Sequence, residues 1–239
     1  MIAKMFKKPT LLNKKDIGIT FAPLKNFKHS RNLGAVALNH REIAETSKHY
    51  PIFFVKDGDG FSPIALLGIN SSENLFVNKG GEWVKGKYIP TLIRLYPFVF
   101  TKTDKEKENE NSVSIAYDKE FEGVNSGGER FFKDDSSLTE FGSKVMKFSE
   151  ETFTALNQTK QMLTILKELD LLSQIDITLG KDDEKQHKIN GIFQVDVKKL
   201  NSLSDENLLK ITKSGILHLI YNHLDSATNF DNLVSRLKA

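Results

Sequence analysis

The chain has 239 residues, 39% hydrophobic and 27% charged, with 34 basic residues against 31 acidic for a formal charge of +3. That length supports a sizeable core in one large domain or two modest ones. The near-neutral balance argues against a nucleic-acid partner, and the complete lack of cysteine excludes disulfides, thiolate zinc sites and thiol catalysis.

The amino terminus, MIAKMFKKPTLLNKKD, is the one clearly basic stretch. It has no apolar core of the kind a secretory signal needs. No run approaches about 18 apolar residues, so no membrane span is expected. The expected location is the cytoplasm, with leaderless export to the cell surface as the alternative.

In chain order, residues 16–23 (DIGITFAP) predict a short strand ending at Pro23. Asn39 to His49 predicts a helix capped by Asn39 and followed by Pro51. Pro51–Lys56 (PIFFVK) predicts a buried strand that stops at Asp57-Gly58-Asp59-Gly60, a turn signal. Ser62–Ile69 and Asn74–Val77 predict two more strands, with a loop at 70–72 and a turn at 79–81. Trp83, the only tryptophan, leads into the most apolar segment, Tyr88 to Phe100. Residues 103–112 (TDKEKENENS) predict a solvated loop, 112–118 a strand, and 119–137 a long surface connection.

The character changes at Ser137. Ser137 and Glu140 have capping-box spacing. Leu138, Phe141, Val145 and Phe148 recur at helical spacing, and after a phase shift Phe153, Leu156, Leu163, Leu166 and Leu169 continue it. This predicts one amphipathic helix, or two with a bend, to about Leu172. A β-hairpin follows at 174–179 and 188–197, with Asp182-Asp183 in its turn. Ser204 starts a helix that Gly215 interrupts. A second apolar face runs through Ile216, Leu217, Ile220 and Leu224, and Phe230 to Leu237 makes a last short helix. Strands followed by helices indicate α+β: an antiparallel or mixed sheet in the N-terminal half, then a helix-rich C-terminal half with a small β-hairpin. The two regions, 1–134 and 135–239, are expected to pack as one unit.

The chain's motifs carry little chemistry. His223-Leu224-Asp225 spells the start of an iron-binding triad, but no further histidine follows and the run is helical, so His223 reads as a helix-face residue. The other histidines lack metal spacing. Asp57 to Gly60 lacks the distal glutamate of a calcium loop. No phosphate-binding glycine loop or nucleophile elbow occurs. Glu150 and Glu151 read as a solvated helix face. No cofactor, metal or catalytic residue is assigned, and the reading leans away from an enzyme.

In Tyr88 to Phe100, Pro90 and Pro97 allow one helical turn at 91–95 and then a strand at 98–100. Arg94 is the only cation in this run. If buried, it needs an acid to fix the segment. If it lines a cleft with Trp83 and Tyr96, it is available to an anionic or planar ligand.

The order His49-Tyr50-Pro51-Ile52, Ala65-Leu66-Leu67-Gly68, Asn74-Leu75-Phe76-Val77, Trp83, then Tyr88-Ile89-Pro90 to Arg94-Leu95-Tyr96-Pro97-Phe98 resembles the SapC family of bacterial proteins. Gly191-Ile192-Phe193, Gly215-Ile216-Leu217 and His223-Leu224 fit that family's tail. The resemblance runs from about Phe21 to Leu233. It implies a name more than a mechanism: an association with surface layers, and relatives encoded near cupin-type hydroxylases and flavin-dependent halogenases. No catalytic residues carry over. Three functions are therefore expected in order: an accessory or binding protein with a protein partner, serving surface-layer biogenesis or a modification system; a small-molecule binder or enzyme with its site at Trp83, Arg94, Tyr96 and His49; and a structural surface-layer subunit.

Overall fold

The computed structural model describes residues 2–102, 113–179 and 187–237. The predicted loop at 103–112 and the Asp182-Asp183 turn lie outside the described residues. Every strand pairing is antiparallel, and the fold is α+β with a helix-rich C-terminal half.

Five strands build the main sheet: β3 (Ala35–Ala37), β4 (Ile52–Asp57), β5 (Gly60–Leu66), β9 (Leu172–Leu179) and β10 (His187–Val195). Their order is β3-β5-β4-β10-β9, so the C-terminal hairpin pairs with β4 and extends the N-terminal strands. β4 and β5 are apolar on both faces, as strands covered on two sides must be. The turn Gly58-Asp59 joins them, with Asp57 paired to Gly60. A second sheet is β1 (Pro9–Leu11), β7 (Val113–Asp118) and β6 (Phe98–Lys102), and a third is the short pair β2 (Thr20–Phe21) and β8 (Glu129–Arg130).

The helices are α1 (Ile43–Ser47), α2 (Thr91–Arg94), α3 (Glu140–Glu168), α4 (Val197–Asn201), α5 (Asp205–Ser214), α6 (Ile216–Ser226) and α7 (Asn229–Leu237). Gly215, at φ 77°, ends α5 in the left-handed region, where a side chain would be strained. The helix expected over 39–49 is only the five-residue α1, with Glu42 at its N-cap position; Asn39 does not cap it but closes the turn before it, its Oδ1 accepting from the Arg41 backbone at 3.0 Å.

Several boundaries differ from the sequence reading. The 16–23 stretch forms only the two-residue β2. Asn74–Val77 is not a strand: the Asn74 side chain accepts from the Phe76 backbone and donates to Ser30, folding the segment into a turn. The connection 119–137 is not all surface, because it contributes the buried Phe121, Phe131 and Phe132. Strand β10 stops at Val195, and Asp196 caps α4 instead. The long helix is one element, ending at Glu168.

That helix explains the phase shift in its apolar spacing. Phe141, Val145, Phe148 and Phe153 pack on one core, formed with Phe21, Phe98, Ile115 and Phe131. Leu163 and Leu166 belong to another, formed with the main sheet and the C-terminal helices. A 29-residue helix is about 43 Å long, enough to span both. The segment 88–100 has the same double allegiance: Leu92 and Ile93 enter the sheet core, and Leu95 and Phe98 enter the other. Its unusual apolarity is that of a junction buried on two sides.

The cap of α3 is Thr139, not Ser137. Thr139 Oγ1 accepts from the Gly142 backbone at 3.0 Å, while the Ser137 hydroxyl donates to Asp135. Thr139→Ala is therefore expected to cost about 1–2 kcal/mol and Ser137→Ala under about 0.5 kcal/mol, read by urea denaturation. The reverse ranking would overturn the cap assignment.

Candidate functional site

The segment 88–100 is held by two buried carboxylates, one on each side of α2. Glu42, 4% exposed, lies just before α1. Its Oε1 accepts from the Asn39 backbone at 3.1 Å and the Asn39 amide at 2.7 Å. Its Oε2 accepts from the Tyr88 hydroxyl at 3.1 Å, and from both the backbone and hydroxyl of Thr91 at 2.8 Å. The Asn39–Glu42 half is local and has the N-x-x-E spacing of a capping box, here closing the turn before α1. The Tyr88–Thr91 half is long-range and has no local signal.

Asp118, at the end of β7, is fully buried. It accepts from the backbones of Lys7, Lys8 and Glu120 at 2.9–3.1 Å, and from the Tyr96 hydroxyl at 3.1 Å. Burial works to raise this carboxyl, but the three backbone donors and the tyrosine outweigh it and hold it below its ordinary range. Burial, reinforced by the Asp118 charge, pushes the Tyr96 hydroxyl up. Tyr96 therefore stays a neutral donor. Its ring stacks on His29 with centroids 3.9 Å apart and planes 5° from parallel. His29 Nε2 lies 3.3 Å from the Ile93 carbonyl, and burial lowers its pKa to about 4. A cavity of about 310 Å³ opens beside this stack, with Phe121, Lys7, Lys28 and Glu122 also on its wall.

Arg94 is exposed and lies on the Glu42 side. Its Nη2 donates to the Tyr88 hydroxyl at 3.1 Å and the Thr91 hydroxyl at 3.2 Å, and both of those groups donate to Glu42. Acid and cation are thus paired through two hydroxyls, not in direct contact. The guanidinium carbon sits 5.4 Å from the Tyr88 ring centroid and 5.8 Å from that of Phe148 on α3. Among the described residues no carboxylate lies within ion-pair distance of Arg94.

The remaining sequence candidates have separate surroundings. Trp83 donates from Nε1 to the Tyr50 hydroxyl at 3.2 Å, and Tyr50 donates to the Tyr88 carbonyl. A string Trp83–Tyr50–Tyr88–Arg94 therefore connects two of the four candidates. Tyr96 joins Trp83 by a different route, through the rings of His29 and Phe27. His49 lies two residues beyond α1, with Nε2 3.4 Å from Glu45 and its ring edge-on to Tyr50.

His223 has a structural partner on each ring nitrogen. Nε2 accepts from the Val195 backbone at 3.1 Å and Nδ1 donates to the Ile52 carbonyl at 2.7 Å. These partners fix a neutral tautomer and occupy both nitrogens. Among the described residues no group of three or more His, Asp or Glu side chains is arranged to hold a metal ion. No described helix is long and apolar enough to cross a membrane.

The SapC family model matches residues 12–233 of the chain. No curated protein matches it, and no solved structure does.

Proposed function

The chain belongs to the SapC family, and from that premise we propose that it is an accessory or binding protein whose contact point is Arg94. The observation that carries this reading is the setting of that side chain. Its planar cation faces solvent and is oriented by two aromatic rings and two hydroxyls. A guanidinium held this way meets a carboxylate with little ordering cost. Arginine between aromatic rings is a common centre of a protein interface. By the family's naming, the partner belongs to surface-layer biogenesis or to a neighbouring modification system, and it presents an acidic group.

Tagged wild-type, Arg94→Ala and Arg94→Lys chains, expressed and cross-linked in the native cell, test this. A partner recovered with the wild type should fall at least tenfold with Ala and partly with Lys, at unchanged thermal unfolding. Identical recovery by all three chains would sink the reading. So would unfolding of the Ala variant, which would make Arg94 structural.

The cavity beside Tyr96 favours a second reading, a small-molecule binder. A native mass measurement on the purified chain separates the two, since only the second predicts an added small mass.

A further inference from the structure

The two outer strands of the main sheet are built differently. Strand β3 is three residues long, and so short an edge recruits no further strand. Strand β9 is eight residues long and pairs on one side only, with β10. From Ser173 to Leu179 no other described group bonds to its backbone. Its sequence, LSQIDITL, lacks the proline and lysine that commonly guard an edge. The bulge of this hairpin falls on β10, where Gly191 has φ 72°. Strand β9 therefore alternates without a break. Ile175, Ile177 and Leu179 lie half-buried on one face, and Gln174, Asp176 and Thr178 are exposed on the other. Such an edge is a template for another strand.

The strand it fits is its own copy, in one register. A two-fold axis pairs two such edges antiparallel, keeps like faces on one side, and places a single residue on the axis. With Ile177 on the axis, it meets its own counterpart, and Ile175 meets Leu179 of the second copy. Asp176 then meets Thr178 of the second copy and, one strand further on the same face, Lys188, because Lys188 stands opposite Thr178 in each chain. Two strand spacings are about 10 Å, a gap that an aspartate and a lysine side chain close between them. Among the described residues neither Asp176 nor Lys188 has an ion-pair partner. Both are exposed, and the two-fold pairing satisfies each of them twice over.

The neighbouring registers lose this match. Asp176 on the axis sets two carboxylates face to face. Thr178 on the axis brings the two Lys188 side chains toward each other across the paired threonines. Ile175 on the axis sets Ile177 against Ser173, and Gln174 on the axis sets Asp176 against Leu172. Apolar pairing and charge complementarity therefore select the same residue, Ile177, as the centre.

We propose that β9 docks on β9 of a second copy of this chain, antiparallel and centred on Ile177, so that the two main sheets become one. Sedimentation equilibrium of the full chain should show a monomer–dimer equilibrium. The chain has no cysteine, so a single introduced thiol reads the register directly. Ile177→Cys sets two thiols on the axis with Cα atoms about 5 Å apart, and mild oxidation should cross-link it to a dimer. Ile175→Cys sets them about 14 Å apart, by four residues of rise and one strand spacing, beyond the roughly 7 Å a disulfide spans. It should stay uncross-linked under the same conditions. Asp176→Lys and Lys188→Glu should each weaken the dimer at least tenfold at unchanged thermal unfolding, and the double variant should restore it. These charge variants lie on exposed positions, so they decide the matter even if a cysteine variant fails to fold. A strictly monomeric wild type, whether its edge stays open or another protein occupies it in the native cell, would overturn the proposal. So would equal cross-linking at 175 and 177, or a double charge variant no tighter than the single ones.

Discussion

Replacing Glu42 with Ala is expected to cost about 4 kcal/mol of folding stability, among the largest losses available to any single substitution in this chain. Five donors converge on that carboxylate: the Asn39 backbone and amide, the Tyr88 hydroxyl, and the Thr91 backbone and hydroxyl. Removing it leaves buried donors without an acceptor. That penalty is larger than the net worth of the bonds themselves, because each stranded group still lacks water. Glu42→Gln retains one acceptor oxygen and introduces an amide that cannot accept. It should lose roughly half as much, about 2 kcal/mol. Urea denaturation monitored by Trp83 fluorescence measures both. A loss below about 1 kcal/mol for Glu42→Ala would mean that water reaches the site and that the junction is not held there. The same variants should loosen Arg94, since Tyr88 and Thr91 position it and Glu42 positions them.

The second large effect is at His223, where a helix side chain takes over part of a β-ladder. Strand β10 pairs with β4 at Ile192–Val55 and Phe193–Phe54. Continued by two residues, that register would set Val195 opposite Ile52. Instead the imidazole stands between them, accepting from the Val195 backbone and donating to the Ile52 carbonyl, while Ser226 Oγ accepts from the Ile52 backbone. His223→Leu should cost about 3–5 kcal/mol, because it strands two buried backbone groups as well as changing the packing.

The pH dependence follows from the same geometry. A protonated ring would set Nε2–H against the Val195 N–H, two donors face to face. Burial is the main cause of the lowered pKa, about 4 against 6.5 when unfolded, and the bond to Ile52 partly opposes it. As pH falls below 6.5 the unfolded chain takes up a proton that the folded chain refuses. Stability from this group is therefore complete above pH 6.5 and falls by about 1.4 kcal/mol per pH unit toward pH 4, about 3 kcal/mol in all. His29, lowered to about 4 mainly by burial, acts in the same window with the same sign. Denaturation at pH 6, 5.5 and 5 should show a wild-type slope approaching two protons and a His223→Leu slope approaching one. An unchanged slope in the variant would refute the assignment.

The sequence carried more of the fold than of the site. Period-two and period-3.6 patterns located β4, β5, the C-terminal hairpin, α3, α5 and α6, because those elements bury continuous apolar faces. It failed where side chains, not periodicity, set the backbone. Asn74 folds its segment into a turn through bonds to Ser30 and Phe76. Thr139 outcompetes Ser137 as cap because its hydroxyl proton is also held, by the Arg130 carbonyl. Of the polar residues that hold the 88–100 junction, Arg94 and Tyr96 were legible as odd polar groups in an apolar run. Glu42 had only its local capping-box spacing. Asp118 and His29 had no signal, since the partners that tie them to this junction lie 22 to 111 residues away.

By itself, then, the sequence determined the α+β class, the family and the prominence of Tyr88 to Phe100, because composition, order and periodicity are local properties. Only the tertiary structure decided what that segment is for. Chain neighbours from the amino terminus, α1 and β7 bring two carboxylates to it, and two separate cores meet along it. A carboxylate's value depends on how many donors surround it, and donors so distant in the chain are gathered only by the completed fold.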